Sequence, residues 1–316
     1  MKLKEGFFKN PIVVVITALL CTALWGSATP FINLGYDFCL EPLGNRKDVP
    51  SIMLFAGVRF ILAGLLTIAI YSIARRKLLY PKRKNLLKVG SVSMFQTVLQ
   101  YVFFYVGLAN TLPVKGTIAS GTSVFFSILV ASLIFKQEKL SLKKILACII
   151  GFFGIIAVNL SGLSFDMNFG DASVLISAAA AGIAAVLTKR FSSDEDPVVI
   201  SGYQFFMGGI LMSIIGFVFG GRITLGAVEG ILVLLYLGML SAVAYSLWGV
   251  LLKYNSVSKV TIFSFMTPVF GVILSKIMLT DSGNVPIINL IFALLLVCIG
   301  IFMLNYQKEK KNKNSL

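Results

Sequence analysis

The sequence predicts an all-α integral membrane protein, with ten transmembrane helices arranged as two inverted five-helix repeats around a central cavity. Three observations carry this. Hydrophobic residues make up 57% of the 316 and charged residues 13%, with a mean hydropathy of +0.91, far from the balance of a soluble domain. The apolar residues fall in runs of about 20, the length that crosses a bilayer as a helix. The chain also repeats itself: Lys115, Thr117, Ile118 and Ser120 return as Lys259, Thr261, Ile262 and Ser264, and Gly154, Ile155 and Asn159 return as Gly300, Ile301 and Asn305.

The first repeat, residues 11–160, has predicted spans at 11–33, 51–74, 86–108, 113–135 and 141–160. The second, residues 171–306, has them at 171–191, 197–220, 228–252, 258–280 and 285–306, and residues 307–316 form a basic cytoplasmic tail suited to anionic headgroups. Pro11, Pro50, Pro113, Pro197 and Pro286 stand where helices start, because a first-turn residue has no intrahelical use for an N–H. Residues 1–28 resemble a signal peptide, with lysines, an apolar run and the small Ser27 and Ala28. They are read as the first span, since the same kind of segment recurs along the chain. The connection at 33–50 is long, whereas its counterpart at 194–196 is a short acidic turn.

Orientation follows from the basic residues. Lys2, Lys4, Lys9, the cluster from Arg75 to Lys88, Lys136 to Lys144, Lys189, Arg190, Lys253, Lys259 and the tail fall on one side, which is predicted to be cytoplasmic with both termini. The other side has only Arg46, Lys47, Lys115 and Arg222, beside several acids. Five spans per repeat is odd, so the second copy enters the membrane inverted, and such architectures bind solute near the midplane between the halves.

The net charge of +15 lies in short clusters between apolar runs, as topology signals do, instead of along one face for nucleic acid. With no histidine, a zinc site or a His-based triad has almost nothing to work with. Cys21, Cys148 and Cys298 lie in apolar runs and Cys39 stands alone, so no disulfide framework, metal or cofactor is expected.

Ala23, Leu24, Trp25 and Gly26, then Arg59, then Phe135 to Glu138, then Thr267 to Gly271, and the Gly-Ile pairs at 154 and 300 occur in an order that resembles the EamA-type branch of the drug/metabolite transporter superfamily. The resemblance runs from Pro11 to Tyr306. It implies a ten-helix fold with a central cavity, moving small organic solutes by alternating access. Val124 stands where Pro268 would call for proline, and Ser282 stands opposite Glu138.

Charges are costly in hydrocarbon and usually face a cavity or a partner. Arg59, roughly 12 Å below the external surface by helical rise, has no acid in the spans to pair with and reads either as an anchor for a carboxylate or phosphate or as a structural residue. Lys276, near the external end of its span, is either a second cationic contact or a snorkelling side chain. None of the 13 acids falls in mid-span, which disfavours a carboxylate proton relay. Gln96 and Gln100 share a helical face and read as solute contacts or as helix glue. Trp25 sits mid-span as a stacking surface or a packing wedge, and Tyr101 and Tyr245, equivalent in the two repeats, suggest a shared wall. Tyr203 and Trp248 are assigned to the interfacial belt, and Pro268 to a hinge.

The expected protein is an inner (plasma) membrane transporter, an exporter or exchanger of amino acids or related carboxylated solutes, and not an enzyme. Its partners are a small-molecule solute and the lipid bilayer, with no nucleic acid; a homodimer is neither required nor excluded. The alternatives are a broad drug or amine efflux carrier and, from another class, a membrane-embedded enzyme or a receptor.

Overall fold

The computed structural model describes residues 2–158, 167–278 and 286–305. Among them it is helical, with no strand. A short helix, α1 (Lys2–Lys9), which the periodicity did not suggest, precedes α2 (Pro11–Cys39), whose start is capped by the Asn10 side chain accepting from the Ile12 amide at 2.9 Å. The first span is therefore longer than predicted. It runs through Pro30 to Cys39, and the long connection after it shrinks to residues 40–48. Then come α3 (Val49–Ala74), α4 (Leu86–Ser93), a π-helical turn (Met94–Leu99), α5 (Gln100–Asn110), α6 (Pro113–Gly121), α7 (Ser123–Leu129), a second π-helical turn (Val130–Ile134) and α8 (Leu142–Val158). The second half has α9 (Phe169–Phe191), α10 (Pro197–Val218), α11 (Val228–Tyr254), α12 (Val257–Thr261), a 3-10 turn (Ile262–Phe265), α13 (Met266–Met278) and α14 (Ile287–Asn305).

Nine helices among the described residues are long and apolar enough to cross a membrane. α8 has 17 described residues, and the predicted end of its span at 159–160 lies outside them. Outward-facing stripes match a lipid surround. Ile12, Ile16 and Leu20 on α2 are exposed at helical spacing, as are Ile288, Phe292, Leu295, Ile299 and Phe302 on α14. In water such faces would be an aggregation liability.

The packing pairs are α3 with α10, α8 with α14, α2 with α11 and α13, and α9 with α5, α6 and α7. Several close contacts have a reciprocal in the other half. A Cβ on Gly57 would lie 2.9 Å from the Gly209 carbonyl, and one on Gly209 2.8 Å from the Gly57 carbonyl. Gly64 and Gly202 share the second crossing of the same two helices, at 2.7 Å from Gly64 to the Gly202 carbonyl. Gly26 meets the Phe270 Cβ at 2.6 Å, as Gly182 meets the Phe126 Cβ at 2.7 Å. Gly154 abuts the Ala293 carbonyl at 2.9 Å, as Gly300 abuts the Ala147 carbonyl at 2.7 Å. Helices with small residues at the crossing approach closely enough for dispersion to hold them, which matters where lipid removes the hydrophobic drive between helices.

The connections gather on two faces. On one, Arg75 bonds Asp196 at 2.8 Å, Lys88 bonds Asp194, and the Lys82 amide and the Asn85 side chain both donate to Glu195, at 2.9 and 3.0 Å. The N-terminal α1 joins this face through the Asn255 side-chain amide, which donates to the Phe8 carbonyl at 2.9 Å. On the opposite face Thr224 N–H donates to the Cys39 carbonyl at 2.9 Å, and Lys115 pairs with Asp171 at 3.4 Å.

Candidate functional site

Four aromatic rings stand where α3, α5, α10 and α11 converge. Phe60 and Phe205 stack with centroids 5.1 Å apart and planes 6° from parallel. Tyr101 lies 4.6 Å from Phe60, Tyr245 lies 4.8 Å from Phe205, and the two tyrosine hydroxyls are 3.0 Å apart. The ring of contacts is closed. It is also reciprocal, because the register that lays Gly57 and Gly64 on Gly202 and Gly209 lays Phe60 on Phe205.

That same register lays Arg59 on Gln204, so the site is chemically lopsided. Arg59 is 4% exposed, with its guanidinium carbon 4.4 Å from the Phe60 centroid and 5.8 Å from that of Tyr101. Cation–π contact offsets part of the cost of burying the charge. Its Nε has no hydrogen-bond partner among the described residues, and no carboxylate there forms an ion pair with it. Gln204, also buried, accepts from the Thr97 hydroxyl at 2.6 Å, and its carbonyl accepts from Ser93 at 2.8 Å. Sequence reasoning passed over Phe60, Phe205 and Gln204. An amide inside the apolar α10 was the available signal for Gln204, whereas nothing distinguishes these two phenylalanines among 26.

Gln96 and Gln100 do share a face, and Gln96 donates to Gln100 at 2.8 Å. Gln96 lies within, and Gln100 directly after, a feature that periodicity cannot reveal, the π-helical turn Met94–Leu99, of a type frequent at functional sites. Trp25 packs 5.0 Å from Tyr245 and 4.8 Å from Trp248, and its indole N–H is buried with no partner among the described residues. Trp248 is 7% exposed, which corrects its assignment to the interfacial belt: it is core, held edge-on by Trp25. Tyr203 donates its hydroxyl to the Leu79 carbonyl at 3.0 Å and so ties down the connection after α3.

Two candidates stay outside this assembly. Lys276 is exposed in the last turn of α13. Pro268 falls in the first turn of α13, where a missing N–H costs little, and the irregular backbone lies before it in the 3-10 turn Ile262–Phe265. Beside the rings, a recess lined in part by Gln96, Gln204, Tyr245 and Trp248 holds about 10 Å³, room for at most a water.

The arrangement offers one fixed cation, amide and indole donors and four aromatic faces, and it offers no nucleophile–base pair. Among the described residues no cluster of His, Cys, Asp or Glu has a metal-holding arrangement.

Comparison with known proteins agrees with this architecture. The chain is 25% identical to the uncharacterized transporter YoaV of Bacillus subtilis over 92% of its own length and 96% of that protein's. It is also 25% identical to an uncharacterized transporter of Archaeoglobus fulgidus over 84% and 90%. A solved crystal structure with 17% identity superposes with a TM-score of 0.73, covering 92% of this chain and 96% of that one, which shows a shared fold. The model of the EamA-like transporter family matches twice, at residues 12–160 and 168–306, so this multi-helix membrane protein belongs to the EamA-like transporter family of the drug/metabolite transporter superfamily.

Proposed function

We propose that this transporter is an inner-membrane exporter or exchanger of small carboxylated solutes of the amino-acid class. It works by alternating access between two inverted five-helix repeats, residues 11–160 and 171–306, with ten spans and both termini cytoplasmic. The observation that carries the substrate class is Arg59, a buried guanidinium stacked on Phe60 whose Nε has no hydrogen-bond partner among the described residues. A charge left in that state is expensive, and a carboxylate is a ligand whose geometry matches the guanidinium fork. Trp25, Tyr101 and Tyr245 supply the apolar wall, and Gln96 and Gln100 supply amide contacts. Lys276 serves as an outer cationic contact on the route. Pro268 limits how the 3-10 turn before it can straighten, which makes that turn the hinge.

The inverted-repeat reading is supported by the reciprocal helix contacts and by the double match of one family model. The orientation is supported by the basic connections that gather on the face of α1.

Counterflow in proteoliposomes over amino acids, nucleosides, amines and organic phosphates tests the reading. Exchange of carboxylated solutes is expected, with Arg59→Gln raising the half-saturation concentration about tenfold or more, the worth of a hydrogen bond to a charged group, at unchanged folded yield. Exchange confined to amines would overturn the substrate class. Unchanged affinity in the variant would return Arg59 to a structural role.

A further inference from the structure

Two groups of helices face each other across the four rings: α5, α6 and α7 packed on α9, and α11 and α13 packed on α2. On the α1 face, one group grips the other with two opposite charges. Lys189, in the last turn of α9, donates its ammonium to the Leu252 carbonyl at 3.0 Å and to the Asn255 carbonyl. These carbonyls end the 27-residue α11, where helical carbonyls have no intrahelical partner and the dipole is negative. Glu138, just beyond the π-helical turn after α7, accepts from the Ser258 hydroxyl at 2.8 Å and from its amide at 3.3 Å. Lys144, 3.3 Å away, and its own bond to the Lys139 carbonyl at 2.6 Å hold that carboxylate in place. Ser127 donates to Thr261 at 3.0 Å and continues the contact inward. The turn between α11 and α12 is thus held at its carbonyl end by a cation and at its amide end by an anion, both from the opposite group.

At the positions that match Lys189 and Glu138 on the opposite face, the sequence supplies no charge. The register that lays Gly26 on Gly182 lays Asn33 on Lys189, and the register that lays Tyr101 on Tyr245 lays Thr111 on Asn255 and Glu138 on Ser282. Asn33 spends its amide on the Thr29 carbonyl of its own helix at 3.2 Å, and Ser282, neutral by sequence, lies outside the described residues.

We propose that Lys189 and Glu138 are gating residues that close the cytoplasmic side, and that the neutral residues at the matching external positions, Asn33 and Ser282, bias the resting transporter toward the state shut to the cytoplasm. This rests on the alternating-access reading and the orientation given above.

The test is the distance distribution between spin labels at Phe7 and Ser193, one on each group at the α1 face, in the full chain with its native cysteines replaced. Wild type is expected to populate mainly the short distance. Glu138→Gln and Lys189→Gln should each raise the ratio of long to short about tenfold or more, as losing a charge-assisted hydrogen bond requires. Asn33→Lys removes no clasp contact and gives the external side a cation at the position that matches Lys189, so it should shift the ratio in the same direction. Distributions unchanged in all three variants overturn the clasp. If they are unchanged while solute exchange remains Arg59-dependent, the carrier reading stands without it. A single distance under every condition, saturating solute included, removes both.

Discussion

At the scale of single residues, the centre depends on a few polar atoms among aromatic rings. The Tyr101 and Tyr245 hydroxyls, 3.0 Å apart, satisfy each other. Tyr101→Phe should therefore leave the Tyr245 hydroxyl without its partner and lower stability by about 1 kcal/mol, whereas the double replacement, which removes both ends, should recover most of it. Thermal unfolding in detergent over the double-mutant cycle checks this, and equal losses in single and double variants would show that the pair is uncoupled. Arg59, Trp25 and the two glutamines were legible in the sequence because a charge, an indole or an amide is conspicuous in an apolar span. Phe60 and Phe205 were not, since their role depends on which of many phenylalanines the helix crossings bring together.

At the scale of elements, the apolar runs located the spans, but the interruptions within them came from packing. The third span contains a π-helical turn at Met94–Leu99 and the ninth a 3-10 turn at Ile262–Phe265, and the local sequence of neither announces a break. Pro268 suggested a hinge in the ninth helix, and the fourth, with Val124 at the matching position, divides as well, after Gly121 and again at Val130–Ile134. The crossing of α3 and α10 leaves no room for a methyl group. Gly209→Ala should cost about 1–3 kcal/mol by overpacking. A Cβ on Gly90 meets only the end of Met207, at 3.8 Å, so Gly90→Ala should be neutral or stabilising by roughly 0.5–1 kcal/mol. The thermal midpoint should therefore fall for Gly209→Ala and hold or rise for Gly90→Ala, and an equal fall in both would refute the tight-crossing account.

At the scale of the whole molecule, the connections on the α1 face are joined by ion pairs between the basic segment after α3 and the acidic turn after α9. The Lys88 side-chain bond, together with its charge, holds Asp194 below the ordinary carboxylate value of 3.8. A depressed carboxyl adds stability above its unfolded value and loses it as pH falls through the folded one. Hydrogen exchange in the 192–196 turn should therefore stay slow from neutral pH down to about 3.8 and rise only below it, and Lys88→Gln should move that rise upward in pH. Exchange that accelerates well above 3.8 in the wild type would show that the pair does not order the turn.

The division between sequence and tertiary structure follows from the range of each force. Transfer of side chains into lipid is a local property, so composition and run length by themselves determined the helical membrane class, and the order of the motifs carried the family resemblance. The grouping of basic loops is likewise a sum over single residues. Which rings meet, that Arg59 has Gln204 as its counterpart, and that Lys189 and Glu138 close on one turn were decided only by the tertiary structure. Those contacts join residues far apart in the chain through helix crossings, and a one-dimensional pattern carries no record of which faces cross.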